Sequence, residues 1–143
     1  MIAGSGKDQR LRELIDALGV APWVERAGFV DDPLALFRTS HALLMCSRNE
    51  AMGRVTVEAM GAGLPVIGHA SGGTLELIED GVNGLIYPGT AEALADRMLR
   101  LMGDPTFARG LGDRAMSMAE GRFSVERMTD QVMGVYAELM PEA

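Results

Sequence analysis

Five short apolar runs, at 1–3, 23–28, 41–46, 65–69 and 84–87, alternate with segments whose apolar residues recur at helical spacing. Parallel strands need a long crossover between them, usually a helix, so this alternation is the mark of βαβ units. It predicts an α/β fold, a Rossmann-like three-layer α/β/α arrangement with a mainly parallel sheet. At 143 residues the chain is one domain, 1–143, long enough to bury a real core.

The helical segments carry their own boundary signals. Leu11, Leu14, Ile15 and Leu18 make one stripe, closed by Gly19. Asp32-Pro33 opens a short helix reaching Phe37, with proline in the first helical position. A further short helix after 71–73 carries Leu75 and Ile78, and Asp80-Gly81 turns the chain. Thr90 caps a helix with Leu94, Met98 and Leu101 on one face, Asp104-Pro105 opens another, and Ser124 caps the last. That last helix puts Met128, Val132, Val135 and Leu139 on one side. The 11 methionines fall on helix faces and read as core filler.

Charge and composition remove several classes of function. With 13 basic and 20 acidic side chains the formal net charge is −7, which argues against a nucleic-acid surface and against simple electrostatic docking to anionic lipid. No apolar run approaches the roughly 20 residues that span a bilayer. Met1-Ile2-Ala3-Gly4 lacks the basic region of a signal peptide. The single cysteine, Cys46, ends an apolar run and reads as a small core residue of a cytosolic protein. His41 and His69 have no second histidine or cysteine at ligand spacing, so no metal is expected.

The chemistry concentrates at 47–65, SRNEAMGRVTVEAMGAGLP, directly behind the apolar run 41–46. A helix is predicted from Gly53 to Gly61-Ala62-Gly63, ahead of Pro65. Glu50 then lies in the loop at a strand's carboxyl end, the edge where open α/β sheets bind ligands. The helix N-terminus offers unpaired N–H groups and a partial positive charge, which suit a phosphate. Glu58 lies in a helix with Val55, Val57, Ala59, Met60 and Ala62 on nearly every side, so a buried setting is expected for it. Phosphate at the helix end with hydroxyl pairs on Glu50 and Glu58 describes a nucleotide-sugar. The competing reading makes Glu50 a solvated loop residue and Glu58 a surface helix residue. Arg54 has two readings as well, a cation for a diphosphate or a surface arginine pairing with Glu50 or Asp80.

Two glycine-rich turns flank this region. Gly4-Ser5-Gly6 follows the first strand, but Gln9 stands where a dinucleotide fingerprint needs a small residue, which disfavours NAD. Ser71-Gly72-Gly73 ends another strand and is either a phosphate- or sugar-facing loop or a structural turn.

The pattern S-x-x-E-x-x-G-R-V-x-x-E-A-M-x-A-G-x-P-V-I-G from Ser47 to Gly68, with seven residues between Glu50 and Glu58 and then Ser71-Gly72-Gly73-Thr74-x-Glu76-Leu77-Ile78, resembles a known family. It is similar to the C-terminal, donor-binding domain of the retaining glycosyltransferases of the GT-B fold, family 4 (group 1). The likeness runs from Met1 to about Met140 and takes in IAGSG, Gly28-Phe29-Val30, Asp80-Gly81-Val82-Asn83-Gly84-Leu85 and Phe123-Ser124.

The resemblance implies half of a GT-B architecture that transfers a sugar from a nucleotide-diphosphate sugar to an acceptor with retention, as a hexosyltransferase. Glu50 becomes the catalytic residue at the donor sugar and Glu58 the partner of the ribose hydroxyls. Ser47, Gly53, Arg54, Val55, Ser71, Gly72 and Gly73 line the donor site, with Gly4 and Gly6 on one side of the nucleotide cleft. Neither a metal nor another cofactor is implied; nucleotide, sugar and acceptor stay open. The family's basic donor-phosphate pair lies in a segment ahead of the strand that begins here at Met1. In the 3-2-1-4-5-6 order this leaves the central strand and its helix, and the N-terminal acceptor domain, outside the chain. The expectation is a truncated transferase or one half of a split one, inactive alone, whose edges at 1–3 and 43–45 favour self-association or a partner chain. Its location is then cytoplasmic, with a peripheral place at the inner membrane face through the absent domain as the alternative. A nucleotide-sugar 2-epimerase fragment and a non-catalytic nucleotide- or partner-binding module are the competing functions.

Overall fold

The computed structural model describes residues 1–4 and 9–140. The chain forms two compact units, Met1–Pro33 and Leu34–Ala143.

In the first unit β1 (Ile2–Ala3) pairs in parallel with β2 (Arg26–Gly28), linked by α1 (Gln9–Ala17). The expected strand at 23–28 is shorter because Pro22 favours a 3-10 turn over Ala21–Trp23. Of the predicted stripe on α1 only Ile15 is buried, while Leu14 and Leu18 are exposed. Gly6 lies outside the described residues.

The second unit is built on three parallel strands in the order β3 (Leu43–Met45), β4 (Val66–His69), β5 (Leu85–Tyr87). Its helices are α2 (Pro33–Arg38, opening at the unit boundary), α3 (Arg54–Gly61), α4 (Thr74–Leu77), α5 (Ala91–Gly103), α6 (Pro105–Phe123) and α7 (Val125–Leu139). Leu43 pairs with Val66 and Met45 with Gly68, and Ile67 pairs with Leu85 and His69 with Tyr87. Side chains alternate across a strand, so Val66 and Ile67 enter different cores. Val66 joins Met45, Ala59, Met60, Leu77, Ile78, Ala115 and Ala119. Ile67 joins Leu85, Tyr87, Leu101 and Leu111. Both faces of the sheet are therefore covered by helices, which is why β4 reads as an unbroken apolar run. The α/β layered fold is as expected.

The caps fall where the sequence puts them. Thr90 Oγ1 accepts from the Ala93 N–H, Asp104 Oδ1 from Phe107 and Ser124 Oγ from Arg127. Each such cap contributes about 1 kcal/mol. Among the described residues β1 pairs only with β2 and β3 only with β4, giving two separate sheets.

Two expectations about the core fail. Met1, Met52, Met98, Met102, Met128, Met133 and Met140 are exposed, whereas Met45 and Met60 fill the core. No residue of α7 is buried, so Met128, Val132, Val135 and Leu139 form an apolar side open to solvent. Cys46 is exposed rather than a core residue, because the strand ends at Met45, which takes the last inward position.

Candidate functional site

The loop after β3 carries Ser47, Arg48, Asn49 and Glu50 and delivers the chain to α3 through Gly53. Gly53 is the N-cap of α3 with φ 70, the left-handed region that glycine enters without strain. A Cβ there would lie 3.3 Å from Glu50 Cγ and 3.3 Å from Thr56 Oγ1, so the glycine also lets Glu50 fold against the helix start. The Gly53 carbonyl accepts from Thr56 N at 2.8 Å and Val57 N at 3.2 Å. The N–H groups of Arg54 and Val55 precede these and have no partner among the described residues. With the helix dipole they make an anion-binding end.

Glu58 is not in the buried setting its apolar neighbours suggest. The inward stripe of α3 is Thr56, Ala59 and Met60, which leaves Arg54, Val55 and Glu58 exposed. Arg54, Val55 and Glu58 share that outer side by their i, i+3 and i, i+4 spacing. Glu50 is half-buried, and neither carboxylate has a hydrogen bond or salt bridge among the described residues. Both carboxylates are therefore open acceptors. Arg54 pairs with neither Glu50 nor Asp80. Asp80 instead meets Arg97 at 3.7 Å and accepts from Ile86 N at 2.8 Å.

Ser71-Gly72-Gly73 rests directly on the Glu50 loop. Gly73 N–H donates to the Glu50 carbonyl at 2.7 Å. A Cβ on Gly72 would come within 2.5 Å of that same carbonyl oxygen, and one on Gly73 within 1.8 Å of the Ala51 carbonyl oxygen. Backbone against backbone explains both glycines without a ligand. Ser71 Oγ accepts from Asn49 N at 3.3 Å and lies 2.7 Å from His69 Nδ1. Ser47, Glu50, Gly53, Arg54, Val55, Glu58 and 71–73 thus belong to two adjoining loops and one helix end of the second unit. Gly4 belongs to the first unit, at the end of β1.

Sequence reasoning missed three features here. Asn49 has φ 60, a left-handed conformation that asparagine tolerates better than most residues. The Thr56 and Thr74 hydroxyls, in the first turns of α3 and α4, are buried with no hydrogen-bond partner among the described residues. Tyr87, at the end of β5, is buried and its phenol is pushed up from 10.0 to about 12. Burial is the main cause, followed by hydrogen bonding to Cys46 and the Cys46 charge, with Arg48 opposing. The unfolded chain then loses this proton first. Between pH 10 and about 12 the folded state binds more protons, so stability falls as pH rises through that window and is unaffected by this group below it. Absorbance titration of wild type against Tyr87→Phe checks this: the difference spectrum is expected to show a midpoint near pH 12 in the folded protein.

Among the described residues no group of three or more His, Cys, Asp or Glu side chains is placed to hold a metal ion, and no helix is long and apolar enough to cross a membrane.

The family model for glycosyl transferases group 1 matches residues 1–118. The chain is 36% identical over 141 residues to a D-inositol 3-phosphate glycosyltransferase of Streptomyces bingchenggensis, covering 96% of this chain and 31% of that relative. It is 29% identical over 143 residues to an alpha-D-kanosaminyltransferase of Streptomyces kanamyceticus, covering 97% and 37%. Among solved structures it superposes on Anabaena HepE in complex with UDP at a TM-score of 0.90 and 30% identity, covering 95% of this chain and 40% of that one. HepE has also been solved with UDP and glucose and with UDP-glucose. Sucrose-phosphate synthase from Thermosynechococcus elongatus superposes at 0.89 with 28% identity, covering 98% and 38%. The chain spans well under half the length of each of these proteins.

Proposed function

Because the chain belongs to the group 1 glycosyl transferases, we propose that it is the donor-binding part of an enzyme that moves a sugar from a nucleotide-diphosphate sugar to an acceptor with retention at the anomeric carbon, as a family 4 hexosyltransferase. The observation that carries this reading is the unpartnered helix end at Arg54 and Val55 flanked by two unpaired carboxylates, Glu50 and Glu58. The helix end takes the diphosphate, with Arg54 as a nearby cation. Its N–H groups stabilise the charge that develops on the leaving nucleoside diphosphate, as fixed donors do for any oxyanion. Glu58, exposed one turn further along, accepts from the ribose hydroxyls. Glu50, in the loop ahead of the helix, holds the sugar hydroxyls. Ser47, Gly72 and Gly73 border the site.

The UDP complexes of HepE make UDP and UDP-glucose the natural probes. Glu58→Gln is expected to weaken UDP by roughly 1–2 kcal/mol in calorimetry, since an amide accepts fewer hydrogen bonds than a carboxylate. Glu50→Gln leaves UDP affinity intact and lowers that for UDP-glucose. Equal effects of both variants on both ligands would remove the assignment of sugar to Glu50 and ribose to Glu58. The reading needs no metal. It places the protein in the cytoplasm, where nucleotide-sugars are made, and gives the acceptor to sequence beyond the donor-binding part.

A further inference from the structure

We propose that His69 is a positioning residue for Glu50, acting through the Ser71 hydroxyl on the loop that carries it. His69 ends β4, where its side chain is half-buried and held on two sides. Its ring meets Tyr87 edge-on, with centroids 5.4 Å apart and planes at 86°. On the other side it lies against Gly89, where a Cβ would come within 2.6 Å of Nε2. This fixes the direction of Nδ1, which lies 2.7 Å from Ser71 Oγ.

The serine is thereby committed. Its oxygen accepts the Asn49 N–H at 3.3 Å and still has a proton and a second lone pair, so with either tautomer of His69 one rotamer satisfies both partners. The relay runs from His69 through Ser71 to the peptide that enters Asn49, the residue before Glu50. Asn49 needs that support because its left-handed backbone, φ 60, costs free energy that local contacts must offset. The Glu50 carbonyl is held from the same loop by the Gly73 N–H at 2.7 Å. Glu50 is thus gripped on both sides of its Cα by the 71–73 turn, and His69 sets the first of those grips. The carboxylate itself has no partner among the described residues, so its aim depends on the backbone that presents it. The consequence for donor binding rests on the function proposed above; the backbone relay does not.

The test uses the full gene product with three substitutions, read in two ways. Amide hydrogen exchange at Asn49 and Gly73, without ligand, reports the loop. In His69→Leu and Ser71→Ala, Asn49 exchange is expected to rise on the order of tenfold, the loss of about one hydrogen bond. His69→Asn keeps a hydrogen-bonding group near the place of Nδ1 and is expected to stay within about twofold of wild type. Calorimetry with UDP and UDP-glucose reports the aim of Glu50. His69→Leu should lower UDP-glucose affinity about fivefold relative to UDP, and His69→Asn should restore it, on the same hydrogen-bond scale. Unchanged exchange in His69→Leu overturns the relay. So does His69→Asn behaving like His69→Leu, since ring packing would then be what matters. Faster exchange with an unchanged UDP-glucose to UDP ratio overturns the role toward Glu50. A wild-type protein that binds neither ligand sinks the transferase reading, and the exchange comparison still decides the relay.

Discussion

Gly73→Ala is expected to destabilise the protein by roughly 3 kcal/mol or more and, under the function proposed above, to abolish donor binding, although it adds a single methyl group. The new Cβ would stand 1.8 Å from the Ala51 carbonyl oxygen and 2.8 Å from its carbon. Both are backbone atoms. No rotamer change relieves the overlap, so one of the two loops must leave its place. The hydrogen bond from Gly73 N–H to the Glu50 carbonyl then goes with it. Urea unfolding measures the loss, and UDP-glucose calorimetry reads the site. A variant as stable as wild type would show that the loops part freely.

Gly112→Ala tests a similar contact in the core, where two effects oppose each other. Gly112 is in α6, and replacing a helical glycine with alanine normally stabilises by about 1 kcal/mol. Here the Cβ would come within 2.1 Å of the Gly63 carbonyl oxygen, in the turn between α3 and β4. Overpacking of that kind costs about 2–3 kcal/mol, so a net loss of about 1–2 kcal/mol is expected. Gly121 is in the same helix with nothing within 4 Å of its would-be Cβ. Gly121→Ala should therefore stabilise by about 0.5–1 kcal/mol. Opposite signs for the two substitutions in denaturant midpoints are the expected outcome. The same sign for both would mean that propensity, not the approach of α6 to the turn, decides.

The contrast explains which features the sequence reveals. Caps at Thr90, Asp104 and Ser124 are local: the side chain and the N–H it satisfies lie within three residues, so residue type and position suffice. The parallel strands are also legible, because a sheet covered on both faces leaves continuous apolar runs such as Val66-Ile67. Glu58 was harder. With apolar residues all round α3, nothing local shows that Thr56, Ala59 and Met60 take the inward side and leave Val55 and Glu58 outside. Cys46 and the exposed methionines escape the sequence for the same reason, since an apolar side chain can end a strand or face solvent when no element packs over it. Gly72 and Gly73 read as a turn or a ligand loop because the carbonyls they meet, at Glu50 and Ala51, lie more than twenty residues earlier in the chain. For His69 the only sequence signal is a serine two residues on, at a strand's end.

The contact between the two loops also sets the smallest piece of this chain that can be exchanged in engineering. A loop graft limited to 47–53 would bring in a main chain that must settle on the existing glycines, and one limited to 71–73 would require main-chain atoms it did not evolve beside. Any side chain at 72 or 73 meets a carbonyl at less than 3 Å. The transferable cassette therefore runs from β3 through α4, Leu43 to Leu77, with both loops, the helix between them and the central strand moving together. Libraries that vary the loop around Glu50 gain nothing from randomising Gly72 or Gly73, whereas exposed Ser47 and Arg48 leave that backbone contact untouched.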